Sequence, residues 1–422
     1  MAAEGGSRKA DGATGPHGPG GALPGPASVV AHAALPGGVR PQFAALPPLS
    51  LYVHLPWCVR KCPYCDFNSF EPRGEIPEQA YVSALVADLE SALPLVWGRR
   101  VHTVFFGGGT PSLFPAAAID AILAAVRARL PLEPDAEITL EANPGTFEAQ
   151  KFRDFRAAGV NRLSIGIQSF DPRHLKALGR IHDDAEARAA IAIARENFAN
   201  FNLDVMYALP EQSVAEAEAD IAAAVACGAP HVSAYHLTLE PNTWFHKHPP
   251  RLPDDDTAAA MQDAIEARLA AAGYEHYETS AYARPGRRCR HNLNYWSFGD
   301  YLGIGAGAHS KISLPGRVLR QMRWRQPRDY LERAPAGTPV QEEHEVVAQD
   351  LPFEFMMNAL RLTEGFPAAL FAERTGLPLT AALPGLAEGE RRGLLARTHE
   401  RIAPTARGRR FLNDLLQIFL RE

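Results

Sequence analysis

Short apolar runs alternate with longer amphipathic stretches over the first two thirds of the chain. An apolar, β-prone run at Leu51 to Leu55 ends at Pro56. After it, helical periodicity over Glu78 to Leu93 precedes a strand pattern at Val101 to Phe106, and Pro115 to Leu130 precedes Glu137 to Glu141. The same pairing recurs three more times. Glu148 to Ala158 leads to Arg162–Ile167, Asp184 to Asn197 leads to Asn202–Met206, and Val214 to Cys227 leads to His231–Leu237. Six strands, each followed by a helix, predict an α/β fold with a parallel sheet covered by helices, because parallel neighbours need a crossover and crossovers are right-handed. In a wound sheet or a barrel, ligands are held at the C-terminal ends of the strands. The residues just after each apolar run are therefore the candidates for chemistry.

The two ends of the chain differ from this pattern. Fifteen of the first forty residues are Gly or Pro, so residues 1–45 are expected to be a disordered extension, with folded structure from about Leu46. Beyond the sixth strand, a helix is predicted over Asp255 to Ala272. From about Val340 the pattern turns α-rich, and Arg401 to Gly408 reads as a short wing before a last helix at Phe411 to Leu420. The organisation expected is a barrel unit over 46–285, a segment completing it over 286–339, and a C-terminal unit over 340–422.

Composition narrows the function. The 422 residues are 46% hydrophobic and 22% charged with a net charge of −5, a balance that suits a packed core and not a nucleic-acid binder. No apolar run is long enough for a membrane span, and the N-terminus lacks the apolar core of a signal peptide, so a cytoplasmic protein is expected. Of five cysteines, three fall within eight residues as Cys58, Cys62 and Cys65, and Cys227 and Cys289 are scattered. That is not a disulfide framework.

Three thiolates at C-x3-C-x2-C spacing can converge on one inorganic centre. Structural zinc sites close with four protein ligands, usually as two spaced pairs, and no second pair exists here. A four-iron cluster on three thiolates would leave one iron open to a small molecule. A disulfide with a spare thiol, or zinc with His54 as fourth ligand, are the alternatives.

C-x3-C-x2-C with Tyr64 before the last cysteine resembles the cluster loop of the radical S-adenosylmethionine superfamily. The longer string from Tyr52 to Ser69 resembles HemW, the haem-chaperone branch beside oxygen-independent coproporphyrinogen oxidase. The resemblance implies a partial (β/α)6 barrel with a small α-rich winged-helix-like C-terminal domain. It also implies a 4Fe-4S cluster on Cys58, Cys62 and Cys65, with S-adenosylmethionine on the open iron. By the same resemblance, the cofactor contacts are Tyr52 and Tyr64, then Gly108, Gly109 and Thr110 of GGGTP. Glu141 of LEANP, Gln168 of IGIQSF, Arg180 of LGR, Asp204 of LDVMY, and His309 complete the set. The residue chemistry agrees in part: three glycines let a backbone approach a ligand closely, and polar groups at barrel-facing strand ends need partners.

A second stretch, Cys289 to Trp296, holds the string HNLNYW. A histidine flanked by aromatic residues can ligate haem iron, and this string resembles the mark of the chaperone branch. His291 is the candidate ligand, with Tyr295 and Trp296 packing on the macrocycle and Cys289 as a rival. The glycine-rich stretch after it, Gly299 to Ser310, reads as a close-approach loop. Six arginines between Arg317 and Arg333 read as a solvated face partnered by Asp329 and Glu332, or as partners for porphyrin propionates.

The function implied is haem binding and transfer to an acceptor haem protein, membrane-associated or not, with a homodimer as one arrangement, and the intact radical S-adenosylmethionine site leaves enzymatic turnover open. The competing reading is oxygen-independent coproporphyrinogen oxidase, with a related radical methyltransferase third. The oxidase branch carries a further cysteine just after the last cluster ligand, where this chain has Asp66 and Phe67.

Overall fold

The computed structural model describes residues 40–146 and 149–420. The expectation of disorder at the N-terminus falls on residues that, up to 39, lie outside these, as does the predicted helix start at Glu148. The six strands form in chain order as β1 (Leu49–Leu55), β2 (Val101–Gly108), β3 (Leu132–Ala142), β4 (Arg162–Gln168), β5 (Phe201–Tyr207) and β6 (His231–His236). Each is parallel to the next, and helices fill the crossovers. One wall of this curved sheet is apolar. Val53, Leu55, Val104, Phe106, Leu140, Leu163, Ile165, Leu203 and Val232 pack with helix residues such as Leu85, Leu89, Ile122, Phe155, Ile191 and Ile221 in one continuous core.

The other wall is polar, because alternate residues of a strand face opposite sides. Ser50 and Tyr52, Thr103, Glu137 and Glu141, Arg162 and Ser164, Asn202 and Asp204, and His231 and Ser233 occupy these positions. The lower half of this inner wall is filled from further along the chain by the helix Arg290–Trp296. The Glu137 carboxylate accepts hydrogen bonds from the backbone N–H groups of Arg290 (3.2 Å) and His291 (3.0 Å), as a carboxylate does at a helix N-terminus. Thr103 Oγ1 lies 2.7 Å from His291 Nδ1 and donates to Ser50 Oγ at 2.8 Å. The upper half stays open.

Both edges of the barrel sheet are extended. β7 (Glu275–Glu278) and β8 (Ala281–Ala283) add antiparallel beyond β6. On the other side β9 (Asp300–Ile304) runs parallel to β1, followed by antiparallel β10 (His309–Leu314), β11 (Arg317–Arg323) and β12 (Val340–Glu345), giving twelve strands in one sheet among the described residues. The stretch Gly299 to Ser310 is thus mostly strand. Its turn is a close-approach loop: a Cβ on Gly305 would sit 2.3 Å from the His54 carbonyl oxygen and one on Gly307 2.2 Å from Asn68 Nδ2. The arginine-rich segment also departs from a solvated face with Asp329 and Glu332. Arg323 is buried and pairs with Asp88 (3.0 Å), Arg320 pairs with Glu354, and Arg333 lies over the Trp324 ring. Asp88 is further held by the Tyr330 hydroxyl and the Gly305 N–H, which ties the helix Glu78–Val96 to the β9–β10 turn.

The C-terminal unit has its own apolar core around Phe355, Phe371, Leu386, Ile402, Leu415 and Phe419. A small sheet of β13 (Phe366–Pro367), β14 (Leu395–Arg397) and β15 (Arg401–Pro404), in the order β13-β15-β14, supplies the wing. Among the described residues no helix is long and apolar enough to cross a membrane.

Candidate cluster and cofactor site

The cysteine loop leaves β1 at Pro56 and is closed at its neck. Cys58 N–H donates to the Phe70 carbonyl (2.9 Å) and Phe70 N–H to that of Pro56 (2.8 Å). Trp57 anchors it, its ring set edge-on to Tyr81 with centroids 4.8 Å apart. The end of β2 is stitched to the same loop, Gly109 N–H donating to Leu55 O (2.9 Å) and Thr110 N–H to Trp57 O (2.7 Å). Here glycine is required. A Cβ on Gly109 would lie 2.5 Å from the Trp57 carbonyl oxygen, and Gly108 has φ +119° with the His54 ring 2.6 Å from where its Cβ would be.

Cys58, Cys62 and Cys65 all face one cleft, also lined by Tyr64, Gly108, Gly109, Thr110, Glu141, Gln168, Arg180 and Asp204. Each sulfur has a polar neighbour: Thr110 Oγ1 at 3.7 Å from Cys58, Arg180 Nη1 at 3.6 Å from Cys62, and Ser69 Oγ at 3.8 Å from Cys65. Burial pushes the Cys58 and Cys65 thiols up, so without metal they stay protonated. Arg180 is fixed by Asn143 Oδ1 and the Gly166 carbonyl, both at 2.7 Å, and Asn143 Nδ2 donates to Thr110 Oγ1 at 2.9 Å. Arg180 Nε is buried without a partner.

Two carboxyl groups, those of Glu141 and Asp204, line the same cleft. Glu141 accepts one backbone bond, from Gly108 N–H at 3.2 Å, and burial together with the Asp204 charge raises it to about 8. Asp204 accepts from Asn202 Nδ2 (2.8 Å) and Ser164 Oγ (3.1 Å), yet burial still raises it. Glu141, half-buried with a single backbone donor, and Asp204 beside it fit a cationic ligand. At the fourth strand end Gln168 has φ +69°, a left-handed conformation that β4 would not adopt by itself and that turns its side chain into the cleft.

Two residues predicted as cofactor contacts lie off the cleft lining. The Tyr52 hydroxyl lies 3.0 Å from His54 Nδ1, behind Gly107 and Glu141. His309 is exposed on β10. His54 itself uses both ring nitrogens, Nε2 lying 2.9 Å from the Asn68 carbonyl oxygen, so as it stands it is no fourth metal ligand. His291 is not brought to the cleft either. It is 1% exposed, its ring is stacked on Phe105 with centroids 4.9 Å apart, and burial with the Arg162 charge holds it down at about 3. Tyr295 contacts its edge, and Trp296 lies under the Arg361 guanidinium. Asn143, Ser164 and Gly166 line the cleft without having been singled out from the sequence, although Asn143 belongs to LEANP and Gly166 to IGIQSF, the strings that carried Glu141 and Gln168, and Ser164 stands one residue before the latter.

Residues 52–224 match the model of the radical SAM superfamily, and residues 347–411 match that of the HemN C-terminal domain. The fold and the three-cysteine cleft thus define a radical S-adenosylmethionine protein with a HemN-type C-terminal domain and a site for a 4Fe-4S cluster and its sulfonium cofactor. The solved structure of coproporphyrinogen III oxidase (HemN) from Escherichia coli shares the fold, with a TM-score of 0.75 at 24% identity over 89% of this chain and 90% of that one. Heme chaperone HemW of Escherichia coli (strain K12) is 50% identical over 379 residues, covering 89% of this chain and 99% of that protein. The Haemophilus influenzae and Bacillus subtilis proteins of that name are 45% and 32% identical, each covered over 99% of its length by 89% and 88% of this chain. The chain belongs to the HemW family.

Proposed function

We propose that this chain is a haem chaperone, which binds haem and hands it to an acceptor haem protein under the influence of its cluster and S-adenosylmethionine. The observation that carries this reading is the near full-length identity, up to 50%, to proteins named heme chaperone HemW. The cleft supports the cofactor half. Cys58, Cys62 and Cys65 would hold the cluster, Gly108, Gly109 and Thr110 would offer backbone groups to the amino acid portion, and Glu141 and Asp204 would compensate the positive charge. When bound, the cluster supplies an open iron and an electron.

For haem we assign His291 as ligand. With the Thr103 hydroxyl hydrogen directed to Ser50, Nδ1 is the protonated nitrogen of His291 and Nε2 carries a free lone pair, buried and without a partner. A nitrogen kept neutral and unbonded is suited to iron. It is also sealed under Phe105 and Tyr295, so the helix Arg290–Trp296 must lift before haem can reach it.

The test is anaerobic reconstitution followed by two assays on the same sample. Stoichiometric haem uptake without coproporphyrinogen decarboxylation supports the chaperone, and turnover of the porphyrinogen replaces it with the oxidase. His291→Ala should lose the haem absorbance band of the wild type while keeping its four irons. An unchanged band removes His291 from the role.

A further inference from the structure

Between the cofactor cleft and the HNLNYW helix runs a buried series of polar side chains that the cofactor site does not account for. Asn202 Nδ2 donates to Asp204 Oδ1 at 2.8 Å and also to Ser164 Oγ at 2.8 Å. Both amide hydrogens being used, Asn202 Oδ1 must accept, and its neighbours are His231 Nδ1 at 2.6 Å and Ser233 Oγ at 3.0 Å. His231 therefore carries its proton on Nδ1. Its Nε2, 2.8 Å from the Tyr277 hydroxyl, then accepts that hydrogen, and the Tyr277 oxygen accepts the backbone N–H of Cys289 at 3.3 Å. His231 is 1% exposed and Tyr277 1%, so water does not substitute for any of these partners.

Every hydrogen in this series points the same way. Cys289 N–H points to Tyr277, Tyr277 to His231, His231 to Asn202, and Asn202 to Asp204. Aligned donors polarise one another, and their combined dipole favours the ionised carboxylate at the end. The series starts at the residue that caps the helix Arg290–Trp296.

We propose that Tyr277, His231 and Asn202 are positioning residues for the sulfonium cofactor, a one-way file of donors that fixes the orientation and charge of Asp204 and reports the seating of the HNLNYW helix to it. Lifting that helix withdraws the Cys289 N–H and frees Tyr277 and His231 to reverse, so the grip on the cofactor weakens when the helix opens. This rests on the reading of the cleft as the S-adenosylmethionine site.

The experiment uses the full chain with its cluster reconstituted, and the conservative variant Tyr277→Phe, which deletes one oxygen remote from the cleft. S-adenosylmethionine affinity, read by titration of the cluster's magnetic signal, should fall about fivefold, the value of one buried hydrogen bond. In an Asp204→Asn background the same change should have no effect. His231→Gln, which keeps a donor and an acceptor, should stay within about twofold of wild type, and His231→Phe should not. Nitrogen-15 spectra of histidine-labelled protein should show His231 protonated on Nδ1 alone, an assignment that needs no cofactor. Wild-type affinity in Tyr277→Phe and His231→Phe, an equal loss in the Asp204→Asn background, or the opposite tautomer overturns the proposal. A wild-type protein that takes up its irons yet binds no S-adenosylmethionine overturns the cofactor reading, while the tautomer still decides the direction of the file.

Discussion

At neutral pH a cation entering the cleft must first expel a proton from Glu141. With that carboxyl at about 8, roughly one molecule in ten is ionised at pH 7, which costs a cationic ligand about 1.4 kcal/mol. The cause is burial, then the neighbouring Asp204, with only the Gly108 N–H opposing. S-adenosylmethionine affinity should therefore rise with pH and level off above pH 8. Because the ligand's own amino group also titrates, the quantity to measure is the ratio of wild-type to Glu141→Gln affinity. Between pH 6.5 and 8.5 that ratio should grow about twenty-five-fold, following the ionised fraction. Calorimetry in buffers of different ionisation heat should show close to one extra proton released at pH 7 by the wild type relative to the variant. The same carboxyl acts on stability with the opposite sign. Its folded-state value lies above the unfolded one, so in the ligand-free protein stability is lost as pH rises from about 4.5 toward 8. Glu141→Gln should then melt higher than wild type at pH 8. A flat affinity ratio with no difference in proton release would show that Glu141 is ionised in the free protein, and the argument from burial would be wrong.

Three further outcomes are expected. Gly109→Ala should lose about 2 kcal/mol in urea unfolding and bind less iron, because its methyl group would meet the Trp57 carbonyl and push β2 off the cysteine loop; unchanged stability would mean that this seam yields. Asp88→Ala should cost about 3–5 kcal/mol, since it strands the buried Arg323 guanidinium and removes the acceptor of Tyr330 and Gly305; a loss under about 1 kcal/mol would show that water reaches the pair. Replacing any one of Cys58, Cys62 or Cys65 by Ser should abolish four-iron incorporation with the fold intact by circular dichroism, and reconstitution of the wild type should speed up with pH because the buried thiols must first ionise.

The outer half of the barrel could be read from the sequence, because apolar residues at every second strand position and along helix faces carry a periodic signal. Asp184–Asn197 forms with the predicted limits, and most other elements fall within one to three residues of theirs. β3 begins earlier, at Leu132, because Leu132 pairs with Val101 across what Pro134 and Asp135 present as a break. β9 was hidden by the glycine inside it and by Gly299 and Gly305 on either side. Gly303 stands in that strand because the His309 carbonyl oxygen would lie 2.1 Å from a Cβ, and no local pattern announces such a neighbour. Of the site, Cys58, Cys62, Cys65 and Gly109 follow the ends of β1 and β2, Glu141 and Asp204 stand within β3 and β5, and Arg180 follows the helix after β4, and all of them line one cleft. Tyr52 and His309 are not among the residues lining the cleft: the Tyr52 hydroxyl meets His54 Nδ1, and His309 is exposed on β10. The seclusion of His291 depends on Thr103, Phe105 and Glu137, residues more than a hundred and fifty positions away.

The hydrophilic inner wall has a bearing on how the chain acquires its shape. During synthesis β1 to β6 emerge first and can gather their helices on the outside, but the hollow they surround stays wet. Its stopper and the neighbour of β1 both arrive later, from Arg290–Trp296 and Asp300–Ile304. A ribosome paused before that point would display a half-built vessel with Glu137 and Arg162 in water, and a C-terminal fragment supplied separately has a defined seat to occupy.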